Sequence, residues 1–579
     1  GFSQIGDFGS GEKGMTAVYG VSQFEFMEHD FTEDQVWFCD VAHGSPPWKP
    51  LYLCHGWSWP GYQTIQTGYE SLSVPTSKGW QARLKDGYPY PSVMLTTEDE
   101  VKARTPIFRE RIRPYLENFR ELWDEAKLDL KQNYEDLRTT YGLETYESIE
   151  ALPDYHLYNM LEDYLQLHRK QWVVHMEKFF VPVYYLFGLF ENMTKKLLGM
   201  SPGNPLFARA MAGFDSSSFR FNEAIWALGK RAVDLGIERQ FDAEDDQLLL
   251  DSLKLSEAGQ AWLADLAAFL DIWGWRCERM SDWATSSWLE KPALALPGIR
   301  MAIATRGVSS IKEKREQAER EREVAERELL ERVPADQRDW FEVLMKSAQN
   351  ACYFSEDHTY YTELYTSAMG RWIFKEIGRR FAQAGVIDDT EDVFFLLMPE
   401  VYKAIIPMGR VKLHEYVRAR KEEWEGYLTV QPEMLLGSPE VMQMVLQKDP
   451  VLSAAFALSD VKPELEADLY GGGSAPGVAE GVARVIMTER ELGELLPGEI
   501  LVAPGTSAQW MPAFEIAGGI ITDGGGALSH AVIVAREYRL PAVTGTQQAT
   551  SKIKTGERVR VDGDLGVVFI LGPSQKAEG

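Results

Sequence analysis

Cysteine is scarce in this chain: Cys39, Cys54, Cys277 and Cys352 are the only four in 579 residues, and none forms a C-x-x-C pair. That spacing excludes a zinc ribbon or a dithiol redox motif and suits reduced thiols. No run of about 20 apolar residues is found, as a membrane-spanning helix would need. The most apolar stretch, 179–190, is too short, and no signal peptide is seen. Positive charge is also short. With 60 Lys and Arg against 87 Asp and Glu, the net charge is −27, which disfavours a nucleic-acid or anionic-membrane partner. Anionic substrates remain compatible, because a local arginine pocket can sit in an acidic protein. Neither a G-x-x-x-x-G-K-[ST] phosphate loop nor an ATP-grasp pattern occurs, so the chain itself is expected to bind no nucleotide. Internal repeats are lacking. These absences leave a cytoplasmic, multidomain globular protein as the expectation.

What is present divides in order along the chain. Residues 1–95 are rich in Gly, Pro and aromatics, as in Tyr52-Leu53-Cys54-His55-Gly56-Trp57-Ser58-Trp59-Pro60. They read as a loop-rich part whose aromatics either pack together or line a flat apolar pocket. Residues 96–460 are dominated by helical periodicity. Helices are expected over 97–141 and 155–180, with Pro182 kinking or ending the second. Residues 310–334 carry dense charge of both signs, the pattern of a solvated helix face. Residues 461–477 hold Gly471-Gly472-Gly473-Ser474 and Pro476-Gly477, which read as a flexible linker. Beyond it, over 478–579, short β segments alternate with turns. The expected fold is a mostly α-helical substrate-binding body joined to a small β/β/α domain.

Within that last domain one stretch stands out: Gly519-Ile520-Ile521-Thr522-Asp523-Gly524-Gly525-Gly526-Ala527-Leu528-Ser529-His530-Ala531, continuing as a helical run to Glu537. It reads as a short strand, a glycine turn permitting close backbone approach, and a helix with Ser529 at the N-cap. His530, the last histidine of the chain, then stands in an exposed turn at the helix start. It is either a plain surface residue or the carrier of an anionic group, which free N–H groups and the helix dipole favour. Arg536 and Glu537 follow two turns on, as a surface ion pair or with Arg536 free to serve an anionic group.

The run Thr522-Asp523-x-Gly-Gly-x-Leu-Ser529-His530-Ala-x-Ile-Val-Ala535-Arg536-Glu537, with Leu540-Pro541-Ala542-Val543 and Val561-Asp562-Gly563, resembles the phosphohistidine swivelling domain of the phosphoenolpyruvate synthase and pyruvate phosphate dikinase superfamily. The resemblance implies that His530 is transiently phosphorylated. Thr522, Gly524, Gly525, Gly526, Ser529 and Arg536 would then hold the phosphoryl oxygens. Regulated dikinases carry Thr two residues before the histidine; Leu528 stands there, so that style of regulation is not expected. No barrel-sized segment follows the domain, so pyruvate is not the expected acceptor.

A second resemblance lies in the body. Trp273-Gly274-Trp275-Arg276 with Asp282, Trp288 and Glu290-Lys291-Pro292, and Gly378-Arg379-Arg380-Phe381 through Asp392-Val393-Phe394-Phe395-Leu396, are similar to the substrate domain of rifampicin phosphotransferases. The family's histidine is Trp275 here, so a role for it does not transfer. The order of body then swivelling domain resembles the large subunit of two-subunit aryl phosphate synthases acting on phenol or cresol. That implies a separate ATP-grasp partner, which supplies ATP and Mg²⁺ chemistry and converts ATP to AMP and phosphate, and a small phenolic acceptor. The alternatives are an antibiotic-type phosphotransferase component and a phosphocarrier with no acceptor of its own. A phenolic hydroxyl needs a base, for which His175 and His358 are candidates, and a cation for the phosphoryl oxygens, for which Arg276 and Arg371 are candidates. No metal site is expected: His168 and His175 share a helix face at seven-residue spacing, without an evident third ligand.

Overall fold

The computed structural model describes residues 36–39, 47–143, 146–277, 282–305, 311–406, 409–430, 432–433, 435–455 and 466–573. The N-terminal expectations over 1–35 and 40–46, and the first part of the linker, 461–465, lie outside the described residues.

Residues 47–95, expected to be loop-rich, form a π-helical turn at Tyr52–Ser58, a helix at Trp59–Leu72 and a hairpin of Ser77–Lys85 with Tyr88–Leu95. Asp86 and Gly87 close that hairpin with φ of 52° and 75°. An Asp-Gly pair with both φ positive is the turn that matches strand twist. The aromatics here are core: Trp48, Tyr52 and Trp57 are buried and meet each other and Trp172 edge-on or tilted. For these three the packing alternative holds.

Two long helical segments carry the body. The first runs over Asp154–Trp172, a π-helical turn at Val173–Phe180, and Val181–Leu198. Pro182, expected to kink or end it, sits in the first turn of the continuation. A proline has no N–H to give to the preceding turn, and the wider π turn lies where that bond would be lost. The second comprises Arg338–Thr359, a π turn at Tyr360–Leu364, and Tyr365–Gln383. Val181–Leu198 packs along Arg338–Thr359, so the two π turns come close together in the core. Asp154–Leu198 has the length and hydropathy of a membrane span, but 78% of its most apolar window is buried inside the protein, as in a core helix. The charged helix, Ile311–Arg332, buries only Ile311, Ala318, Ala325 and Leu329 on one face, consistent with a solvated opposite side.

The C-terminal domain is built on one eight-stranded sheet. In chain order its strands are β1 (Leu469–Tyr470), β2 (Gly472–Ala475), β3 (Val478–Val485), β4 (Ile500–Ala503), β5 (Gly519–Thr522), β6 (Ala542–Thr544), β7 (Glu557–Asp562) and β8 (Val567–Pro573). Their spatial order is β1-β8-β7-β3-β4-β5-β6-β2. The β3-β4-β5-β6 run is parallel, and the remaining pairs are antiparallel. Residues 469–475, read as linker, are therefore sheet. Their glycines serve close approach rather than flexibility: a Cβ on Gly471 would lie 2.4 Å from the Thr544 carbonyl, and one on Gly473 would lie 2.7 Å from that of Gly563. The helix His530–Tyr538, α1, connects β5 to β6.

The domain is seated on the body. One hydrophobic cluster joins Phe219, Ile225, Trp288 and Ile299 of the body to Trp510, Phe514, Ile520 and Tyr538 of the domain. Polar contacts lock the seam. The buried Glu537 carboxylate accepts from the N–H of Gly213 at 2.7 Å and of Phe214 at 3.2 Å. Asn222 donates to the Tyr538 hydroxyl at 2.7 Å, and Gln509 donates to the Cys277 carbonyl at 3.0 Å.

Candidate active site

In a parallel sheet, side chains that act on ligands gather beyond the carboxyl ends of the strands. Here the loop after β4 brings Gly505, Thr506 and Ser507 to a cavity of about 80 Å³, and the loop after β5 brings Gly524, Gly525, Ser529 and His530. The body closes the other side with Phe180, Tyr184, Glu356, His358 and Glu363.

His530 is the first residue of α1. It is not the exposed turn residue expected, because the body covers it and leaves its side chain 12% exposed. Its Nδ1 lies 2.9 Å from Oε2 of Glu356. An ionised carboxylate only accepts, so this contact puts the proton on Nδ1 and leaves the Nε2 lone pair free. Nε2 has no hydrogen-bond partner among the described residues. The ring also meets the edge of Phe514 at 5.7 Å. Glu356 lies two residues before the candidate base His358. The carboxylate was missed, since only the fold brings residues 174 positions apart together.

Ser529 takes the N-cap position as expected but makes no side-chain capping bond, and its Oγ has no partner among the described residues. Gly525 has φ of 110°, the left-handed side that its turn requires. Gly526 does not line the cavity; a Cβ there would lie 2.5 Å from the Ala454 carbonyl, so its role is to let the body's backbone approach. Thr522 is turned inward, with Oγ1 donating to the Gly524 carbonyl at 2.7 Å. Arg536 and Glu537 are both buried rather than a surface pair. Arg536 donates to the Ala527 carbonyl at 3.2 Å, and burial lowers its pKa. It braces the turn and does not reach the cavity lining.

The body candidates separate into two groups. His358 lines the cavity, and His175 stands directly behind it, ring centroids 4.4 Å apart. Glu363 completes the group, 3.4 Å from His175 Nδ1 and 3.9 Å from His358 Nε2. His168, which shares a helix with His175, instead contacts the Gly56 carbonyl and Trp172, and burial pushes its pKa down to about 4. The two arginines fall outside. Arg276 lies against the face of Phe221 at 3.8 Å, and burial pushes its pKa down to about 9. Arg371 is paired with Glu290 and Glu391, each at 3.0 Å. Burial works against its charge, but the two carboxylates outweigh that and raise its pKa. Among the described residues no lysine or arginine lines the cavity. It therefore does not fit a nucleoside triphosphate with Mg²⁺, and no nucleotide step is assigned to it. Trp275, in the place of the family histidine, stacks on Tyr365 at 4.7 Å and tilts against Trp372 at 5.1 Å, which makes it a packing residue.

Residues 495–566 match the PEP-utilising enzyme mobile domain, and residues 175–356 match the rifampicin phosphotransferase fourth domain. Chondramide synthase cmdD of Chondromyces crocatus is 27% identical over 94% of this chain and 14% of its own length. The uncharacterized phosphotransferase YvkC of Bacillus subtilis is 28% identical over 64% of this chain and 44% of its own length. A rifampicin phosphotransferase of Streptomyces sviceus is 30% identical over 57% of this chain and 36% of its own length. The chain thus spans less than half the length of each of these relatives. The mobile-domain match includes β5, the glycine turn and α1, so the C-terminal part of the chain is a mobile domain of the kind found in PEP-utilising enzymes.

Proposed function

We propose that the chain is the phosphotransfer and acceptor part of a phosphotransferase. His530 takes a phosphoryl group on Nε2 from an ATP-grasp unit that converts ATP to AMP and phosphate, and passes it to the hydroxyl of a small phenolic molecule. The observation that carries this reading is the His530–Glu356 pair facing the cavity between domain and body. When the P–N bond breaks, the ring must leave. A ring protonated on Nδ1 leaves as neutral imidazole, whereas an unprotonated one would leave as an anion. Glu356 belongs to the body, so it supports the protonated form only while the domain is docked there. The carrier would be long-lived in transit and labile at the acceptor.

The cavity suits a small acceptor. At about 80 Å³ it is well below the ~300–1,000 Å³ of drug-sized sites, and Phe180 and Tyr184 supply aromatic wall. Specificity would come from the hydroxyl end, because a hydroxyl-less analogue leaves buried polar groups unpaired. Toluene should therefore not replace cresol. The fourth-domain match favours a second reading, a rifampicin-like acceptor, which would need the cavity to open widely.

The test uses an ATP-grasp partner and radiolabelled ATP. His530→Ala should take up no label, and wild type should lose its label to phenol or cresol but not to a rifamycin. Labelling of the His530→Ala chain would sink the phosphohistidine reading. Discharge by the rifamycin alone would replace the phenolic acceptor with the bulky one.

A further inference from the structure

A phosphoryl group brings two negative charges to the cavity, and its transfer needs positive charge close by. Yet the charged residues lining it are Glu356 and Glu363, and Arg276 and Arg371 lie elsewhere. We infer that His175, His358 and Glu363 form a divalent-cation site, with zinc as the metal best matched, that supplies this charge beside His530.

Three features converge on these residues. First, the spacing fits. Ligand atoms ~2.1 Å from a tetrahedral centre lie about 3.4 Å from one another; Glu363 lies 3.4 Å from His175 and 3.9 Å from His358, and all three ligand atoms lie within 4.8 Å of each other. Second, the rings are held in place. His358 Nδ1 lies 2.9 Å from the Phe354 carbonyl, which fixes the proton there and leaves Nε2 as the ligating nitrogen, 3.9 Å from Glu363 and 3.5 Å from the Thr359 hydroxyl. A metal-bound histidine is oriented in this way by the bond at its other nitrogen. His175 is clamped by Trp172, stacked at 5.6 Å, and by Phe180. Third, the backbone is specialised on both sides. His175 lies in the π turn at Val173–Phe180 and Glu363 in the one at Tyr360–Leu364. Such turns are rare and concentrate at functional sites.

Two imidazoles and one carboxylate form a borderline donor set that zinc accepts with a fourth position left open. His358 and Glu363 line the cavity, so that position faces it. The inference deepens the proposed function and rests on it for its chemical role. The acceptor hydroxyl would bind at the open position and release its proton to solvent, as metal-bound water does near neutral pH. The resulting oxyanion attacks phosphorus, the P–N bond breaks, and His530 departs as neutral imidazole with Nδ1 still facing Glu356.

The test reads metal directly and needs no phosphorylation, so its failure is separate from failure of the proposed function. The untagged full chain is stripped with chelator and titrated with Co²⁺, then Zn²⁺. One equivalent should bind with the visible bands of a tetrahedral-like centre, and His175→Ala and Glu363→Gln should weaken binding by at least ~100-fold. Far-UV circular dichroism checks that each variant is folded. X-ray absorption on the wild-type zinc protein covers the case where neither variant folds. A shell of two imidazoles and one carboxylate supports the site; sulfur ligation, or a shell lacking imidazole, overturns it. No binding by wild type, or equal binding by folded variants, also overturns it.

Discussion

Nδ1 of His530 lies 2.9 Å from Oε2 of Glu356, and the two belong to different domains. The carboxylate is 3% exposed and the imidazole 12%, so the pair exists only where domain and body meet. Glu356→Gln keeps the shape but removes the charge that favours a proton on Nδ1. In the proposed cycle, capture of label by His530 takes place away from the body and should be unchanged. Discharge to phenol should fall roughly 100-fold, the lower range for a positioned proton-transfer group. Equal discharge rates would remove Glu356 from the reaction.

Glu537 at the seam makes docking sensitive to pH. Burial pushes its carboxyl up to about 7, against the pull of the Gly213 and Phe214 N–H groups and Arg322. Its ordinary value is 4.5, which it regains when the domain leaves the body. Between those values the docked form binds more protons than the undocked one, so docking weakens as pH rises from about 4.5 to 7 and levels off above. The shift corresponds to about 3 kcal/mol at most. Hydrogen exchange at Gly213 and Phe214 should speed up across that window, and Glu537→Gln should flatten the profile.

Arg371 was a candidate for the phosphoryl oxygens, but its guanidinium is used by Glu290 and Glu391. Removing it strips the buried Glu290 of one of two cations, Lys375 at 3.1 Å being the other, so the cost stays below the roughly 3–5 kcal/mol of a buried charge left wholly unpaired. Arg371→Ala should therefore lower the urea midpoint. Label discharge per folded molecule should stay at the wild-type rate; slower discharge at full folding would return Arg371 to the reaction.

Local signals made the C-terminal domain legible in the sequence. The short β segments expected over 478–579 are found as strands of the sheet, from Val478–Val485 to Val567–Pro573. The glycine turn and helix around His530 were legible for the same reason, since strand, turn and cap are spelled out within about twenty consecutive residues. Three kinds of information were not local. Gly471 and Gly473 read as linker because glycine looks the same whether it confers freedom or lets backbones touch. Glu356 and Glu363 stayed hidden because acidic residues are abundant in this chain and only tertiary packing brings these two beside histidines. Arg276 and Arg371 were chosen for their charge, but burial against Phe221 and pairing with Glu290 decide where that charge acts.

Gly526 offers a way to separate docking from chemistry. A Cβ at this position would lie 2.5 Å from the Ala454 carbonyl oxygen and 2.7 Å from the Ala455 backbone, both in the body. Backbone cannot swing aside as a flexible side chain can, so Gly526→Ala should push the domain away from the body. The residue's φ is not in the left-handed region, so the domain's own turn should tolerate alanine. Overpacking of this kind costs about 1–3 kcal/mol, or roughly a 5- to 150-fold shift in a docking equilibrium. Gly493→Ala in the same domain is the control, because its Cβ would meet nothing within 4 Å. Both variants should accept label on His530 at the wild-type rate. Gly526→Ala alone should then release it to phenol more slowly, with the deficit reduced by saturating acceptor if the acceptor itself favours the docked form. Wild-type discharge from a folded Gly526→Ala chain would mean that phosphoryl transfer proceeds from a different arrangement of domain and body.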